Sequence, residues 1–109
     1  MTIKLPHPID RYFTAQNAHD VDAMVACFAP DAQVRDEGED HVGRDAIRDW
    51  KSEAVVKLAV SVAPFEVRKD HGQAIVTATV SGNFPGSPVD LTFFFGLSDG
   101  LIETLEIRP

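Results

Sequence analysis

The sequence has very little cysteine, since Cys27 is the only one among 109 residues. One thiol rules out an internal disulfide. A nucleophilic cysteine needs a nearby base, and none is evident around Cys27, which favours a small buried residue. The sequence also lacks a glycine-rich phosphate loop and the serine motif of a hydrolase nucleophile elbow. These absences argue against phosphate-loop nucleotide binding and against nucleophilic hydrolysis.

Basic residues and long apolar runs are also scarce. There are 10 lysines and arginines against 17 acidic residues, which gives a net charge of −7. Such a surface repels phosphate backbones, so we expect no nucleic-acid partner. No apolar run approaches the ~20 residues of a membrane span, and the first eight residues lack the apolar core of a signal peptide. We therefore expect a cytoplasmic protein with no membrane partner.

The remaining composition is that of one globular domain. Hydrophobic residues make up 44% of the chain and charged residues 25%, which are ordinary globular values. No repeat, linker or low-complexity stretch divides the sequence. We expect a single domain over residues 1–109, near the commonest domain size.

The first half of the chain has the apolar spacing of helices. Residues 9–18 read as an amphipathic helix. Asp20 is a suitable N-cap for a second, short helix that Pro30 ends. The predicted buried stripes of the three helices are Ile9, Tyr12, Phe13 and Gln16; Val21, Met24, Val25 and Phe28; and Ile47, Trp50, Ala54, Val55 and Leu58.

The second half changes to a period of two. A short strand precedes it, where Ala32, Val34 and Asp36 alternate with polar residues, and a loop at 38–43 leads to the third helix. Strands joined by short turns indicate an antiparallel meander. Helices separate from such a sheet define an α+β domain with three helices packed on one face. The predicted strands of the meander cover residues 65–68, 74–83, 89–97 and 101–107.

This order of elements resembles the nuclear transport factor 2-like superfamily, which includes SnoaL-like and ketosteroid isomerase-like proteins. The resemblance covers nearly the whole chain and rests on Arg11-Tyr12 and on residues 28–36 and 41–47. The last two segments match the family's run of aspartate-alanine, strand, aspartate and glycine-arginine-x-x-isoleucine. The resemblance implies a cone-shaped, cystatin-like fold with three N-terminal helices on a curved antiparallel sheet. One fold hosts many functions, so these segments mark the fold better than an activity.

Asp36 is the first candidate catalytic residue. Its alternation places it on the apolar face of Ala32 and Val34, at the edge of a low-dielectric cavity. Poor solvation favours proton uptake by a carboxylate, which suits a general base or acid. The alternative is a strand-end aspartate bonded to backbone amides or to solvent. The resemblance favours catalysis, because Asp36 matches the proton-abstracting aspartate of ketosteroid isomerases.

Tyr12 is the second candidate catalytic residue. It lies on the buried stripe of the first helix, and a buried phenol normally finds a partner for its hydroxyl. That partner is either a structural acceptor or a ligand oxygen. Arg11-Tyr12 resembles the pair whose tyrosine donates to the oxyanion in the isomerases. With Asp36 as base, Tyr12 would complete a pair able to move a proton alpha to a carbonyl.

Four further residues are candidates for ligand binding. By the resemblance, Phe93 matches the position where ketosteroid isomerases carry a protonated aspartate; it faces inward by spacing and is either core or a pocket wall that donates no hydrogen bond. Phe28 faces inward by spacing and is either core or pocket wall. Trp50 is the stronger candidate for the wall, because its indole N–H needs an acceptor. His41 lies in an acidic, glycine-containing loop, where it either acts on a proton or metal or is simply solvated.

The sequence leaves two classes of function open. The first is a small isomerase, cyclase or lyase that works by proton transfer and needs no cofactor or metal. The second is a non-catalytic module that binds a small hydrophobic ligand or mediates dimerisation. A sheet face combining Ile75 and Phe94 with threonines is also too apolar for comfortable exposure. We therefore expect a homodimer through the outer sheet face.

Overall fold

The structure is a computed structural model that describes residues 3–53 and 57–109. Its helices are α1 (His7–Asn17), α2 (Val21–Ala26) and α3 (Arg44–Lys51). Its strands are β1 (Phe28–Asp36), β2 (Glu39–Val42), β3 (Ser61–Asp70), β4 (Gln73–Ser81), β5 (Val89–Ser98) and β6 (Leu101–Arg108). Three helices pack on one six-stranded sheet, which confirms the α+β class.

Local signals set the starts of the first two helices. Helix α1 follows Pro6 and carries Pro8 in its first turn, where the missing N–H has no intrahelical partner to lose. The side chain of Asp20 accepts a hydrogen bond from the Ala23 N–H at 3.1 Å, as expected of an N-cap. Helix α2 ends at Ala26, however, and Phe28 begins β1. The extension of the second helical stripe to Phe28 was wrong, because pairing with Ile102 of β6 draws Phe28 into the sheet.

The third helix is shorter than its apolar stripe predicted. Ile47 is buried and Trp50 is half-buried, as the spacing indicated. Leu58 lies in the following turn and packs partly against the core. The predicted stripe residues Ala54 and Val55 lie outside the described residues.

The sheet has the strand order β2-β1-β6-β5-β4-β3. The meander from β3 to β6 is antiparallel throughout, as the short turns predicted. Strand β1, in contrast, pairs parallel with β6, so the expectation of a purely antiparallel sheet was wrong at this junction. Parallel neighbours need a long crossover, and α3 together with β3–β5 provides it here.

The predicted loop at 38–43 is mostly a strand. Residues Glu39–Val42 form β2, which pairs antiparallel with β1 in a register that sets His41 opposite Val34. Glu37 and Gly38 make the connecting turn with φ of 53° and 77°, the backbone that suits a two-residue hairpin. The acidic run is therefore largely the tip and edge of a hairpin.

The core lies between the helices and the inner face of the sheet. Strand residues alternate as predicted, so that Val76 and Ala78 of β4 face the helices together with Phe93 and Phe95 of β5. Register shifts interrupt the pairing in β1, β3 and β5. Such irregularities bend strands, and the bent sheet leaves room for a cavity at one end of the core. Within the described residues, none of the helices has the length and hydropathy that crossing a bilayer requires.

Candidate active site

A cavity of about 390 Å³ opens between α1, α3 and the inner face of the sheet. Its volume lies in the range of small-molecule sites, ~300–1,000 Å³. Much of its wall is apolar, with Val80, Phe84, Leu91 and Ile107 contributed by β4, the loop after it, β5 and β6. The polar groups are concentrated on the side of α1, α3 and the end of β1. An apolar wall with a few convergent polar groups is typical of a ligand site.

Asp36 contributes a carboxylate to this wall, beside Glu37 of the following turn. It is the last residue of β1 and continues the inward row of Ala32 and Val34, as its alternation predicted. The half-buried side chain accepts a hydrogen bond from Trp50 Nε1 at 3.1 Å. The other carboxylate oxygen has no protein donor among the described residues, and it is available to a ligand.

Tyr12 also lines the cavity, from the buried face of α1. Its side chain is fully buried, and its ring meets those of Phe28 and Phe95 edge to face, with centroids 5.5 and 5.8 Å apart. Burial raises the pKa of the Tyr12 hydroxyl well above its ordinary value of 10.0, and the negative charge of Asp36 raises it further. The hydroxyl therefore remains protonated at physiological pH and can serve as a donor.

Lys51 is a polar residue of the site that sequence reasoning missed, as are Gln16 and Glu37. It is only 2% exposed, yet it lines the cavity. Its ammonium donates hydrogen bonds to the Tyr12 hydroxyl and, at 3.1 Å, to Gln16 Oε1. Nζ lies 3.9 Å from the centre of the Trp50 ring and 4.4 Å from that of Tyr12. In the described part of the chain, no carboxylate forms an ion pair with Lys51.

The surroundings of Lys51 change its acidity. Desolvation lowers the pKa of Lys51 from 10.5 to about 7, while the carboxylate of Asp36 opposes this shift. A substantial fraction of the side chain is thus a neutral amine near pH 7. A signal for the burial of Lys51 was present in the sequence, because Lys51 lies four residues after Ile47 on the same helical face. A lysine is almost never fully buried unless it is paired, so that spacing carried little weight.

The other sequence-predicted residues divide between the cavity and its surroundings. Phe93 and Trp50 line the cavity. Phe28 does not, because it is fully buried in the core beneath the Tyr12 ring. His41 also lies outside the cavity wall, since β2 stacks its ring on Trp50 with centroids 5.3 Å apart. The structure therefore places Asp36, Tyr12, Trp50 and Phe93 in the cavity wall, whereas Phe28 and His41 lie outside it.

The arrangement combines a proton acceptor with donors in the wall of one mostly apolar cavity. Asp36 is oriented by the Trp50 indole, and Tyr12 and Lys51 are linked by a hydrogen bond. Such a site can remove a proton and stabilise the negative charge that results. Within residues 3–53 and 57–109, no cluster of three or more His, Cys, Asp or Glu side chains is placed to hold a metal ion.

Comparison with known proteins identifies the class of domain. The model of the SnoaL-like domain family matches residues 9–104, and the chain belongs to this family. A protein of Sinorhizobium meliloti with the provisional name polyketide cyclase is 45% identical, with 95% of each chain covered and a TM-score of 0.90. These matches confirm the resemblance to the SnoaL-like proteins.

More distant structures share the fold. A protein of Catenulispora acidiphila with a ketosteroid isomerase-like fold, solved with trimethylamine, is 18% identical over 97% of this chain and 87% of its own, with a TM-score of 0.85. The epoxide hydrolase/cyclase-like enzyme SalBIII, which acts in pyran ring formation in salinomycin, is 21% identical over 94% and 87%, with a TM-score of 0.82. These two similarities show the fold alone, and the first of them confirms the expected ketosteroid isomerase-like fold.

Proposed function

We propose that the chain is a cofactor-independent enzyme that moves a proton alpha to the carbonyl of a small hydrophobic compound, as an isomerase, cyclase or lyase. The observation that carries the proposal is that the Asp36 carboxylate and the Tyr12 hydroxyl line one mostly apolar cavity. The provisional cyclase name of the relative from Sinorhizobium meliloti supports a carbonyl-containing substrate. The cytoplasm is the proposed place of action.

In the proposed reaction Asp36 removes the proton and the donors hold the oxyanion. The Trp50 N–H fixes one oxygen of the carboxylate, which leaves the other to reach the substrate carbon. Negative charge then develops on the carbonyl oxygen, where the Tyr12 O–H donates. Lys51 strengthens this donor, because its hydrogen bond to the phenol oxygen makes the O–H more acidic. Return of the proton to another carbon completes an isomerisation, whereas attack by the carbanion on a second carbonyl closes a ring.

The test is exchange of alpha protons for deuterium in 2-tetralone, a small apolar ketone, followed by proton NMR in deuterated buffer. We expect wild-type protein to accelerate exchange and Asp36→Asn to reduce that acceleration by ~10²-fold or more, since a positioned base typically contributes ~10²–10⁴. Asp31→Asn is the matched control, because it removes a carboxylate from an exposed position of the same strand. Equal exchange by wild type and Asp36→Asn would overturn the assignment of Asp36 as base.

A second candidate function is binding of a small hydrophobic ligand without turnover. The observation that favours it is Phe93, which is 2% exposed and places an apolar ring where a second oxyanion donor would be needed. If the protein only binds its ligand, 2-tetralone or similar compounds should bind with measurable heat, and neither the wild type nor any variant should accelerate proton exchange. Calorimetry and NMR on the same sample therefore distinguish the two functions.

A further inference from the structure

Lys51 has a role available to it beyond the support of Tyr12. Its amine lies at the wall of the cavity with two protein acceptors, Tyr12 and Gln16. An ammonium has three N–H groups, so one N–H, or the lone pair after deprotonation, is left for a ligand. The methylene stem is long and flexible, which lets the nitrogen move toward the cavity. The Asp36 carboxylate in the cavity wall accepts a hydrogen bond from Trp50 and not from Lys51.

Burial of an amine without an ion pair is unfavourable, and this makes a purely structural role a poor explanation. A neutral side chain could satisfy Tyr12 and Gln16 without the desolvation penalty of an ammonium. Desolvated lysines in apolar pockets are the ones that act as nucleophiles toward carbonyl carbons. The polar groups required to assist such a step, a hydroxyl and a carboxylate, line the same cavity.

We propose that Lys51 Nζ forms a reversible imine with the carbonyl carbon of a small aldehyde or ketone held in the cavity. The proposal rests on the carbonyl ligand class of the proposed function, but it does not require Asp36 to remove an alpha proton. It assigns Lys51 as the residue that selects carbonyl compounds over other apolar molecules of similar size.

The step balances without an oxidant or reductant. The Nζ lone pair attacks the carbonyl carbon, a C–N bond forms, and the π pair moves to oxygen. A proton passes from nitrogen to that oxygen and gives a carbinolamine. Asp36 holds the proton that the ammonium form of Lys51 released, and it gives this proton to the hydroxyl, which leaves as water while the nitrogen lone pair closes the C=N bond. Asp36 recovers the remaining N–H proton, so amine and carbonyl become imine and water.

The acidity of Lys51 supports this chemistry at neutral pH. Among the described residues, the titratable groups that line the cavity with its amine are Tyr12 of α1, Asp36 at the end of β1 and Glu37 in the turn after it, and His41 of β2 lies across the Trp50 ring. Desolvation dominates over the charge of Asp36 and brings the pKa of Lys51 to about 7. The neutral, nucleophilic form is thus well populated at a pH where ordinary exposed lysines are almost fully protonated.

The experiment traps the imine with cyanoborohydride and benzaldehyde in the full-length protein. Benzaldehyde has no alpha proton, so it tests imine formation separately from the base function of Asp36. Peptide mass spectrometry then compares Lys51 with the exposed lysines Lys4, Lys57 and Lys69. At pH 7 we expect labelling of Lys51 to exceed that of each exposed lysine by roughly tenfold or more, since each unit of pKa changes the neutral fraction about tenfold.

Variants and pH supply the controls. Lys51→Arg keeps the positive charge and cannot form an imine, so this variant should carry label at the exposed lysines alone. Lys69→Arg should leave labelling of Lys51 unchanged. Labelling of Lys51 should increase with pH and level off above about 7.

Labels on exposed lysines with an unmodified Lys51 in wild type would overturn the proposal, even if a variant fails to fold. Exchange of 2-tetralone protons without trapping would reject the imine and retain the proposed function. Trapping of the imine without exchange of 2-tetralone protons would retain the imine and reject the proposed function.

Discussion

At the scale of single residues, Tyr12 and Lys51 depend on each other. The phenol is an acceptor for the buried ammonium, and the ammonium strengthens the phenol as a donor. The shared burial moves their pKa values in opposite directions, upward for Tyr12 and downward for Lys51. Both shifts favour the neutral form, because desolvation disfavours charge of either sign. The Tyr12–Lys51 pair is thus a polar part of the cavity wall that carries less than a full positive charge near pH 7.

Tyr12→Phe removes the hydroxyl while it keeps the ring packed on Phe28 and Phe95. We expect exchange of 2-tetralone protons to fall by ~10²-fold, the typical effect of losing one oxyanion donor. The free energy of unfolding should change by only about 1–2 kcal/mol, from the lost hydrogen bond. Urea unfolding and NMR exchange on the same sample separate the two effects. Unchanged exchange in a folded Tyr12→Phe protein would mean that the hydroxyl is structural.

Lys51→Met tests the buried charge through the pH dependence of stability. Because the pKa of Lys51 falls from 10.5 to about 7 on folding, the unfolded chain binds more protons between these values. The ammonium therefore opposes folding fully below pH ~7, and this penalty disappears as the pH approaches 10.5. At ~1.4 kcal/mol for each unit of pKa, the wild type should gain on the order of 5 kcal/mol relative to Lys51→Met across this range.

The measurement is urea unfolding of both proteins at a series of pH values from about 6 to 10. The loss of two hydrogen bonds in the variant adds a roughly constant ~1 kcal/mol for each bond, so the slope of the difference is the test. A difference that stays flat across the range would show that Lys51 is solvated in the folded protein.

At the scale of elements, α3 positions the site because it carries both Trp50 and Lys51. Its N-terminus is attached to β1 at two points. Gly43 adopts φ of 86°, a conformation that favours glycine, and its N–H donates to the Ala32 carbonyl at 2.9 Å. The Arg44 guanidinium donates two hydrogen bonds to the Phe28 carbonyl, at 3.0 and 2.7 Å. The glycine-arginine pair thus fixes the helix to the strand that ends in Asp36.

Arg44→Gln removes this attachment. Hydrogen bonds from a charged donor contribute ~1.5–3 kcal/mol, and we expect a loss of about 1–3 kcal/mol in unfolding free energy together with slower exchange of 2-tetralone. The matched control is Arg48→Gln on the same helix, whose partner Asp22 is 84% exposed. Such surface pairs contribute at most ~1 kcal/mol. Equal effects of the two variants would contradict the attachment role of Arg44.

At the scale of the whole molecule, the outer face of the sheet carries several apolar side chains. Sheet pairing places Phe94 beside Ile75, and Val42, which is 58% exposed, lies on the same face opposite Gln33. Neighbouring side chains shelter part of this surface, since Ile75 is only 4% exposed and the Arg108 guanidinium lies 4.8 Å from the centre of the Phe94 ring. We propose that a second copy of the chain covers this face in a homodimer.

Phe94→Glu tests the proposed dimer. The new carboxylate lies beside Arg108, so the chain should fold, whereas two copies would oppose like charges across the symmetric interface. Light scattering at micromolar concentration should give twice the mass of one chain for wild type and the mass of one chain for the variant. Thr14→Glu on the exposed side of α1 should remain dimeric. A wild-type protein with the mass of one chain would exclude the dimer.

Much of the fold was predictable because its signals are local. The helical spacing around Tyr12 and the alternation that ends at Asp36 each report which side of an element is apolar, and both residues lie in the cavity wall as that pattern indicated. The C-terminal limit of α2 and the existence of strand β2 were harder to predict from the sequence. Phe28 and His41 owe their conformations to partners in β6 and β1, and strand pairing between separate segments can override a short-range pattern.

The sequence by itself determined the class of fold, the composition of each buried face and the place of Asp36 and Tyr12 on those faces. Only the tertiary structure decided that β1 lies parallel to β6, that Phe28 and His41 stay outside the cavity, and that Lys51 belongs to it. The reason is that periodicity defines the orientation of a side chain relative to its own element, whereas desolvation depends on what the other elements place around it. For Lys51 those surroundings come from α1 and β1 as well as α3, and they turn an ordinary lysine into a buried amine.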